Sequence, residues 1–439
     1  MSKSLVVFTF VTAFCCTASS AKDLPPNPRV LIVATPGAGS PVNPGAENGS
    51  NQKPFSTIQA AVDAASPGDT IRVEKGVYRN PGFGTSEMNG PVVMINKGGN
   101  AKDGNLTLLG EPGVVVEYDG SGGIVGAKGV SYVTIKDFVV KGPAAGISEA
   151  LALQHRLDKP SLSKYNGQGI SFPGPSQHIE ILNNVVMDAC GSGIRVNQGD
   201  YISIQGNTVS NSTGCSASAS SAVVIAQATS VRDVDRDLDM GTINILDNTV
   251  FDNRNHLPFY APNGLPPGAG PRPFPSYGMA DSTRIIDGSG IYLTRNSQSY
   301  AHGKFLIANN VAYGNGINGI AVQLTNNVIL RNNTIANNGT VPLSAGRQRN
   351  SGLAINRSQG IGIFDNRVQV NVAGDAAIKF FGEDPSSITA RGNQYAGGSS
   401  DLTFGVTKVP PFWYGPSGSH PSPPPAPKCP PRTKCQKPI

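Results

Sequence analysis

Charge is scarce in this chain of 439 residues: Asp, Glu, Lys and Arg together make up 15% of it. A protein built of helices needs more, because exposed helix faces are largely charged. Histidine is scarcer still, and His155, His178, His256 and His302 show neither pairing nor metal-ligand spacing. That excludes the usual imidazole-based metal motifs. After the first two dozen residues no apolar run is long enough to cross a bilayer as a helix. Positive charge is unevenly placed: Lys3, Lys428, Arg432, Lys434 and Lys437 account for all but about one of the formal net +6. A body so close to neutral lacks the basic face that binds nucleic acid.

Turn-forming residues are abundant instead, with 53 Gly and 35 Pro, as a turn-dense β protein requires. A degenerate unit recurs through the centre: Gly-Ile-x-apolar, a short gap, then apolar-x-apolar-x-x-Asn-x-apolar. The clearest copies are Gly169-Ile170-Ser171-Phe172 with Ile179, Ile181 and Asn184; Gly193-Ile194-Arg195-Val196 with Ile202, Ile204 and Asn207; and Gly319-Ile320-Ala321-Val322 with Val328, Leu330 and Asn333. Looser copies start at Ala222, Gly290, Gly352 and Ala377, with turn asparagines at Asn248, Asn310, Asn366 and Asn393. The intervals from Asn184 to Asn207 and from Asn310 to Asn333 are both 23 residues. A fixed period in this range marks a solenoid.

Each copy holds three alternating segments rich in Ile and Val, too short for helices. Alternation buries one face of each strand, so each copy reads as one three-strand coil, and stacked coils share one interior. Asn at the corner tolerates a left-handed backbone and can bond its counterparts along the stack. The fold class is all-β: a right-handed parallel β-helix. One domain spans 22–415, with repeats from about 123 to 400 and insertions at 143–168, 227–241, 254–289 and 336–351. A propeller or a leucine-rich repeat would be spaced and punctuated differently.

The N-terminus reads as a secretory signal over residues 1–21: Lys3, an apolar stretch from Leu5 to Phe14, then Ala18-Ser19-Ser20-Ala21. An extracellular location is therefore expected, and Cys15 and Cys16 leave with the signal. Four cysteines remain. Cys190 and Cys215 follow the turn asparagines of adjacent coils by six and eight residues, so stacking is expected to pair them, which leaves Cys429 with Cys435. Six sequons are candidate glycosylation sites in a eukaryotic secretory route: Asn48, Asn105, Asn211, Asn332, Asn338 and Asn356. The Pro-rich tail 416–439 carries four cations and no acid. It reads either as a contact for an anionic cell wall or glycan or as a solvated linker. The protein is expected to be a monomer.

The run from Lys53 to Tyr78 reads Lys-Pro-Phe-Ser-Thr-Ile-Gln-Ala-Ala-Val-Asp-Ala-Ala-Ser-Pro-Gly-Asp-Thr-Ile-Arg-Val-Glu-Lys-Gly-Val-Tyr. Ser56 to Ala65 is an amphipathic helix with Ile58, Ala61, Val62 and Ala65 on one face. Pro67-Gly68 stops it, and Thr70 to Val73 opens a strand. A short capping helix over 54–66 of this kind covers the open end of a solenoid. The segment closely resembles the N-terminal cap of secreted pectin-lyase-like β-helix proteins, among them polysaccharide lyases of family 9 and relatives of chondroitinase B. The resemblance covers most of 30–400 at the level of fold and implies action on polysaccharide. The family's catalytic motifs do not follow it. There is no adjacent Asp-Asp or Gly-His-Gly of polygalacturonases, only a faint echo of their Arg-Ile-Lys at Ala377-Ile378-Lys379. The Arg-x-Pro-x-x-Arg of the best-known pectate lyases and the Asp-Pro-His-Asp of alginate epimerases are also missing.

In the resembling proteins the sheet of Gly-Ile-x-apolar strands floors the substrate groove. Its outward column here is Ser171, Arg195, Val224, Tyr292, Ala321, Ala354 and Lys379, with insertions beside it. This places a cleft around Arg195 and Tyr292, with Ser171 and Lys379 as substrate contacts. The acidic run Arg232-Asp233-Val234-Asp235-Arg236-Asp237-Leu238-Asp239 suits Ca²⁺ through Asp233, Asp235 and Asp237, with Asp287 a further ligand; its two arginines equally suit a solvated loop. β-Elimination on a polyuronate (pectate or a similar acidic polysaccharide) would need a cation on the substrate carboxylate and a base for the C5 proton, with Arg195 or Tyr292 as base or brace. The expectation is a secreted polysaccharide lyase. Its alternative is a non-catalytic glycan-binding or cell-wall structural protein.

Overall fold

The computed structural model describes residues 28–35, 47–85, 89–155, 164–217, 220–230, 242–259, 284–300, 303–382 and 385–413. Residues 1–21, read above as a signal, the tail with Cys429 and Cys435, the run Asp233 to Asp239, His302, and most of the insertions 227–241 and 254–289 lie outside them. Among the described residues the strands form three sheets of 11, 10 and 11 members, every sheet pairing parallel. One coil shows the plan. Gln168–Phe172 lies in the 10-stranded sheet, Ser176–Leu182 in the second and Val185–Met187 in the third; Ile194–Asn197 then returns to the first, one rung on. Crossovers of this kind between parallel strands take the right hand almost without exception, and the fold is a right-handed parallel β-helix. The visible repeat begins near Gly123, but coiling already begins at Thr70–Val73, and Val30–Val33 pairs with that strand.

The repeat has a physical reason at each position. The Ile of Gly-Ile-x-apolar forms an inward column, Ile124, Ile170, Ile194, Val223, Ile291, Ile320, Leu353 and Ile378, held in register from rung to rung. All are 0–1% exposed, so each buried side chain contributes roughly 1.5–3 kcal/mol of transfer free energy. The preceding Gly sits where the chain turns in from the third sheet: a Cβ on Gly169 would collide with Val186, and one on Gly193 with Val209.

The corner asparagines form a buried ladder. Asn184 Nδ2 donates to Asn207 Oδ1 at 3.0 Å, Asn207 to Asn248 at 3.0 Å, Asn248 to Asn310 at 3.0 Å, Asn310 to Asn333 at 3.0 Å, Asn333 to Asn366 at 2.9 Å and Asn366 to Asn393 at 3.0 Å. The left-handed backbone falls one residue earlier than the pattern suggests, at Asn183, Gly206, Asp247, Asn309, Asn332, Asp365 and Gly392. The two jobs are thus divided between neighbours: the first residue turns the chain, and the second bonds along the stack. A shorter ladder runs through the next corner, where Asn253 donates to Asn315 at 2.9 Å and Asn315 to Asn338 at 2.8 Å.

Helix α1 (Ile58–Ala64) is capped by Thr57, whose side chain accepts from the Ala60 N–H at 3.1 Å. It buries Ile58, Ala61 and Val62 against the first coils, as the apolar spacing predicts. At the other end residues 409–413 fold back over the third sheet. Gln369 holds this strap by accepting from the Phe412 and Trp413 N–H groups at 2.7 and 2.8 Å and donating to the Trp413 carbonyl at 2.7 Å. No helix among the described residues is long and apolar enough to cross a membrane.

Candidate functional site

The outward column of the 10-stranded sheet is in continuous register: Ser171, Arg195, Val224, Tyr292, Ala321, Ala354 and Lys379. Two residues along each strand a second column runs Asn197, Ala226, Thr294, Gln323, Asn356 and Phe381. These two columns floor a trough parallel to the solenoid axis.

Arg195 and Tyr292 are two rungs apart, about 10 Å along the sheet at the usual strand spacing, with Val224 fully buried between them. Each is braced from the second column. Arg195 Nε donates to Asn197 Oδ1 at 3.1 Å. The Tyr292 hydroxyl donates to Gln323 Oε1, which also accepts from Thr294 Oγ1 at 3.0 Å. The Arg195 guanidinium is pulled well below its ordinary value, down to about 10. Desolvation is the main cause and the charge of Arg295 the second, while Asp287 and Tyr292 act in the opposite direction. Asp287, at the corner entering the Tyr292 strand, is 4% exposed. Arg295, at the corner leaving it, is exposed and has a φ of 57°. The constellation is therefore two guanidiniums in unlike environments, a buried carboxylate and a phenol.

Ser171 lies one rung before Arg195 and is 7% exposed, which leaves little of it for a ligand. Lys379 lies three rungs past Tyr292 and pairs with Asp401 at 3.1 Å. Asp287 answers electrostatically to Arg195. Among the described residues no three His, Cys, Asp or Glu gather as a metal would require; Asp233, Asp235 and Asp237 lie outside them.

One wall of the trough grows from the corners that lead into its strands. Cys190 and Cys215 are joined there, their Cα atoms 4.6 Å apart, as the coil register predicts. They sit in a small separate core with Ala152, Tyr165, Ala217 and Leu257, which ties the insertions 143–168 and 254–289 to adjacent coils. A second such core joins Ile285, Ile317 and Val341. It is backed by a buried ion pair of Arg347 with Asp375 at 2.9 Å, 1% and 0% exposed. An open cavity of about 420 Å³ lies beside the first core, touched by Glu149, Asn211, Asp252 and His256; no residue of the two floor columns lines it.

The sequons divide by exposure. Asn48, Asn211 and Asn332 are exposed, and Asn105 and Asn356 are half-buried. Asn338 is 1% exposed and donates to the Ala312 carbonyl at 3.0 Å, which leaves no room for a glycan in the folded chain. The histidines stack: His178 lies between Tyr132 and Tyr201 with centroids 4.3 and 4.7 Å away, and His155 lies on Tyr165 at 4.3 Å.

Sequence reasoning missed Arg295, Asn197, Gln323 and Phe381. Arg295 lies outside the repeat unit, and the other three lie one position past the end of its Gly-Ile-x-apolar segment. The second column continues the strand alternation by one step.

No protein-family model and no curated protein matches the chain. Among solved structures it is similar to the A-module of an Azotobacter vinelandii mannuronan C-5 epimerase, with 19% identity over 80% of this chain and 84% of that one and a TM-score of 0.45. It is similar to a pectate lyase at 15% identity, 86% and 78% coverage and a TM-score of 0.44. A rhamnogalacturonan lyase gives 12%, 83% and 87%, with a TM-score of 0.36. The fold is read from the strand register itself, and these likenesses add nothing about chemistry.

Proposed function

We propose that this is a secreted protein that binds acidic polysaccharide along the trough and cleaves it by β-elimination beside Arg195. The observation that carries the reading is the pair of guanidiniums in unlike environments. Unequal surroundings are what separate an acid from a base of the same type. Arg295, exposed at the rim, takes the substrate carboxylate, which acidifies the C5 proton by neutralising the charge beside it. Arg195, desolvated and lowered to about 10, takes that proton in its neutral form. The electron pair left on C5 then forms the C4–C5 double bond and expels the C4 oxygen substituent, which takes a proton from water as it leaves. Asn197 holds the guanidinium, and Tyr292, its proton committed to Gln323, positions the sugar. Calcium on Asp233, Asp235 and Asp237 is proposed as a separate contribution to binding.

The test is incubation with pectate, alginate and glycosaminoglycans while following ultraviolet absorbance, since the unsaturated uronate absorbs. Binding without any rise in absorbance would replace the lyase with a glycan-binding module, and neither binding nor rise would leave a structural protein.

A further inference from the structure

The trough does not end at the reacting residues. From Tyr292 the first column continues through Ala321 and Ala354, both under 10% exposed, to Lys379. Beside it the second column offers the Gln323 and Asn356 amides and then Phe381. The floor is thus low over two rungs, edged with amides, and closed by a pair of large side chains. At the far end Lys379 Nζ lies 5.9 Å from the Phe381 ring centroid and 3.1 Å from Asp401. The carboxylate also accepts the Phe380 N–H at 3.0 Å, which fixes it. Three features follow. The end of the trough presents an aromatic surface, which suits the apolar C–H face of a pyranose. Its local charge is balanced, because Asp401 neutralises Lys379. The ammonium has three donors, and Asp401 does not use them all.

Resting on the reading of the trough as a polysaccharide site, we propose that the stretch from Tyr292 to Lys379 and Phe381 is a chain-binding extension. It holds about three sugar units beyond the reacting one, since three rungs span ~14 Å and a 1,4-linked pyranose advances its chain by roughly one rung. The last unit stacks on Phe381, and because that end is charge-balanced, its own carboxylate is dispensable. The protein therefore tolerates a neutral or esterified sugar at the distal position while requiring a free carboxylate near Arg195.

The test is calorimetric binding of oligogalacturonates and oligomannuronates, dimer to octamer, to the full chain and to its Phe381→Ala and Lys379→Ala variants. Affinity of the unaltered chain should climb with length and level off once the far end is reached. Phe381→Ala should lower affinity roughly tenfold for long oligomers, the scale of one aromatic contact, and leave short ones unchanged. The loss should be the same at low and high salt, as a charge-balanced contact requires. An unaltered chain that binds no oligomer of any length overturns the polysaccharide reading itself. An unaltered chain that binds, with Phe381→Ala indistinguishable from it at every length, overturns only the extension. Retained melting temperature in both variants shows that the solenoid is intact.

Discussion

Replacing Asn248 with Ala should destabilise the solenoid by about 3–5 kcal/mol, far beyond an ordinary surface change. The side chain is 0% exposed and makes four hydrogen bonds. Its Oδ1 accepts from the Asn207 N–H at 2.9 Å and from Asn207 Nδ2 at 3.0 Å. Its Nδ2 donates to the Ile204 carbonyl at 2.9 Å and to Asn310 Oδ1 at 3.0 Å. Each bond contributes about 0.5–1.5 kcal/mol net, and a buried group left without a partner costs about 1–3 kcal/mol. The Asn207 N–H and the Ile204 carbonyl are the groups at risk; Asn207 Nδ2 keeps the Ile181 carbonyl at 2.8 Å. The control is Asn332→Ala, one residue before the ladder, exposed and at φ 53°. It forfeits only tolerance of the left-handed backbone, about 1 kcal/mol. Urea denaturation of both variants, with hydrogen exchange of the flanking coils to locate the break, makes the comparison. A loss at Asn248 below ~1 kcal/mol, or no greater than at Asn332, would refute the ladder as a source of stability.

Further outcomes follow from other parts of the structure. Non-reducing peptide mapping should recover Cys190 and Cys215 in one linked pair. Replacing both with Ala should cost about 3.5 kcal/mol by loop-closure entropy for a separation of 25 residues, with hydrogen-exchange losses confined to the trough wall. Arg195 sets the pH dependence: the base must be neutral, the lowered pKa of about 10 leaves roughly one molecule in a thousand competent at neutrality, and the rate should rise about tenfold per pH unit toward 10. A rate that is flat from neutrality to pH 9 would remove Arg195 as the base. If Asp233, Asp235 and Asp237 bind calcium, millimolar calcium should raise the melting temperature, and their joint replacement by Asn should abolish the rise. A melting temperature indifferent to calcium removes the metal.

The architecture was legible because a solenoid repeats its physics. Gly169, Ile170 and Asn184 each answer to one constraint that recurs in every coil, so few copies suffice to reveal it. The outward column followed from alternation alone and holds in register from Ser171 to Lys379. The ladder through Asn253, Asn315 and Asn338 lies five residues past Asn248, Asn310 and Asn333 and went unseen because the repeat unit ended at the apolar residue after the first asparagine. Legibility stops where the period stops. Arg295 acts on Arg195 from the rim of the trough, and the bond from Tyr292 to Gln323 crosses between strands on a diagonal; neither shows in spacing along one strand. The desolvation that lowers Arg195 is a property of the assembled trough and leaves no trace in the residue's identity.

The central claim is tested most directly by ultraviolet absorbance of unsaturated uronate, comparing the unaltered chain with Arg195→Ala on pectate, alginate and glycosaminoglycans, with and without calcium. A steady rise on at least one polymer is expected, falling about 10²–10⁴-fold in the variant, the usual contribution of a positioned base, while binding of the polymer persists. No rise from the unaltered chain on any of them, or an equal rise from Arg195→Ala, would contradict it.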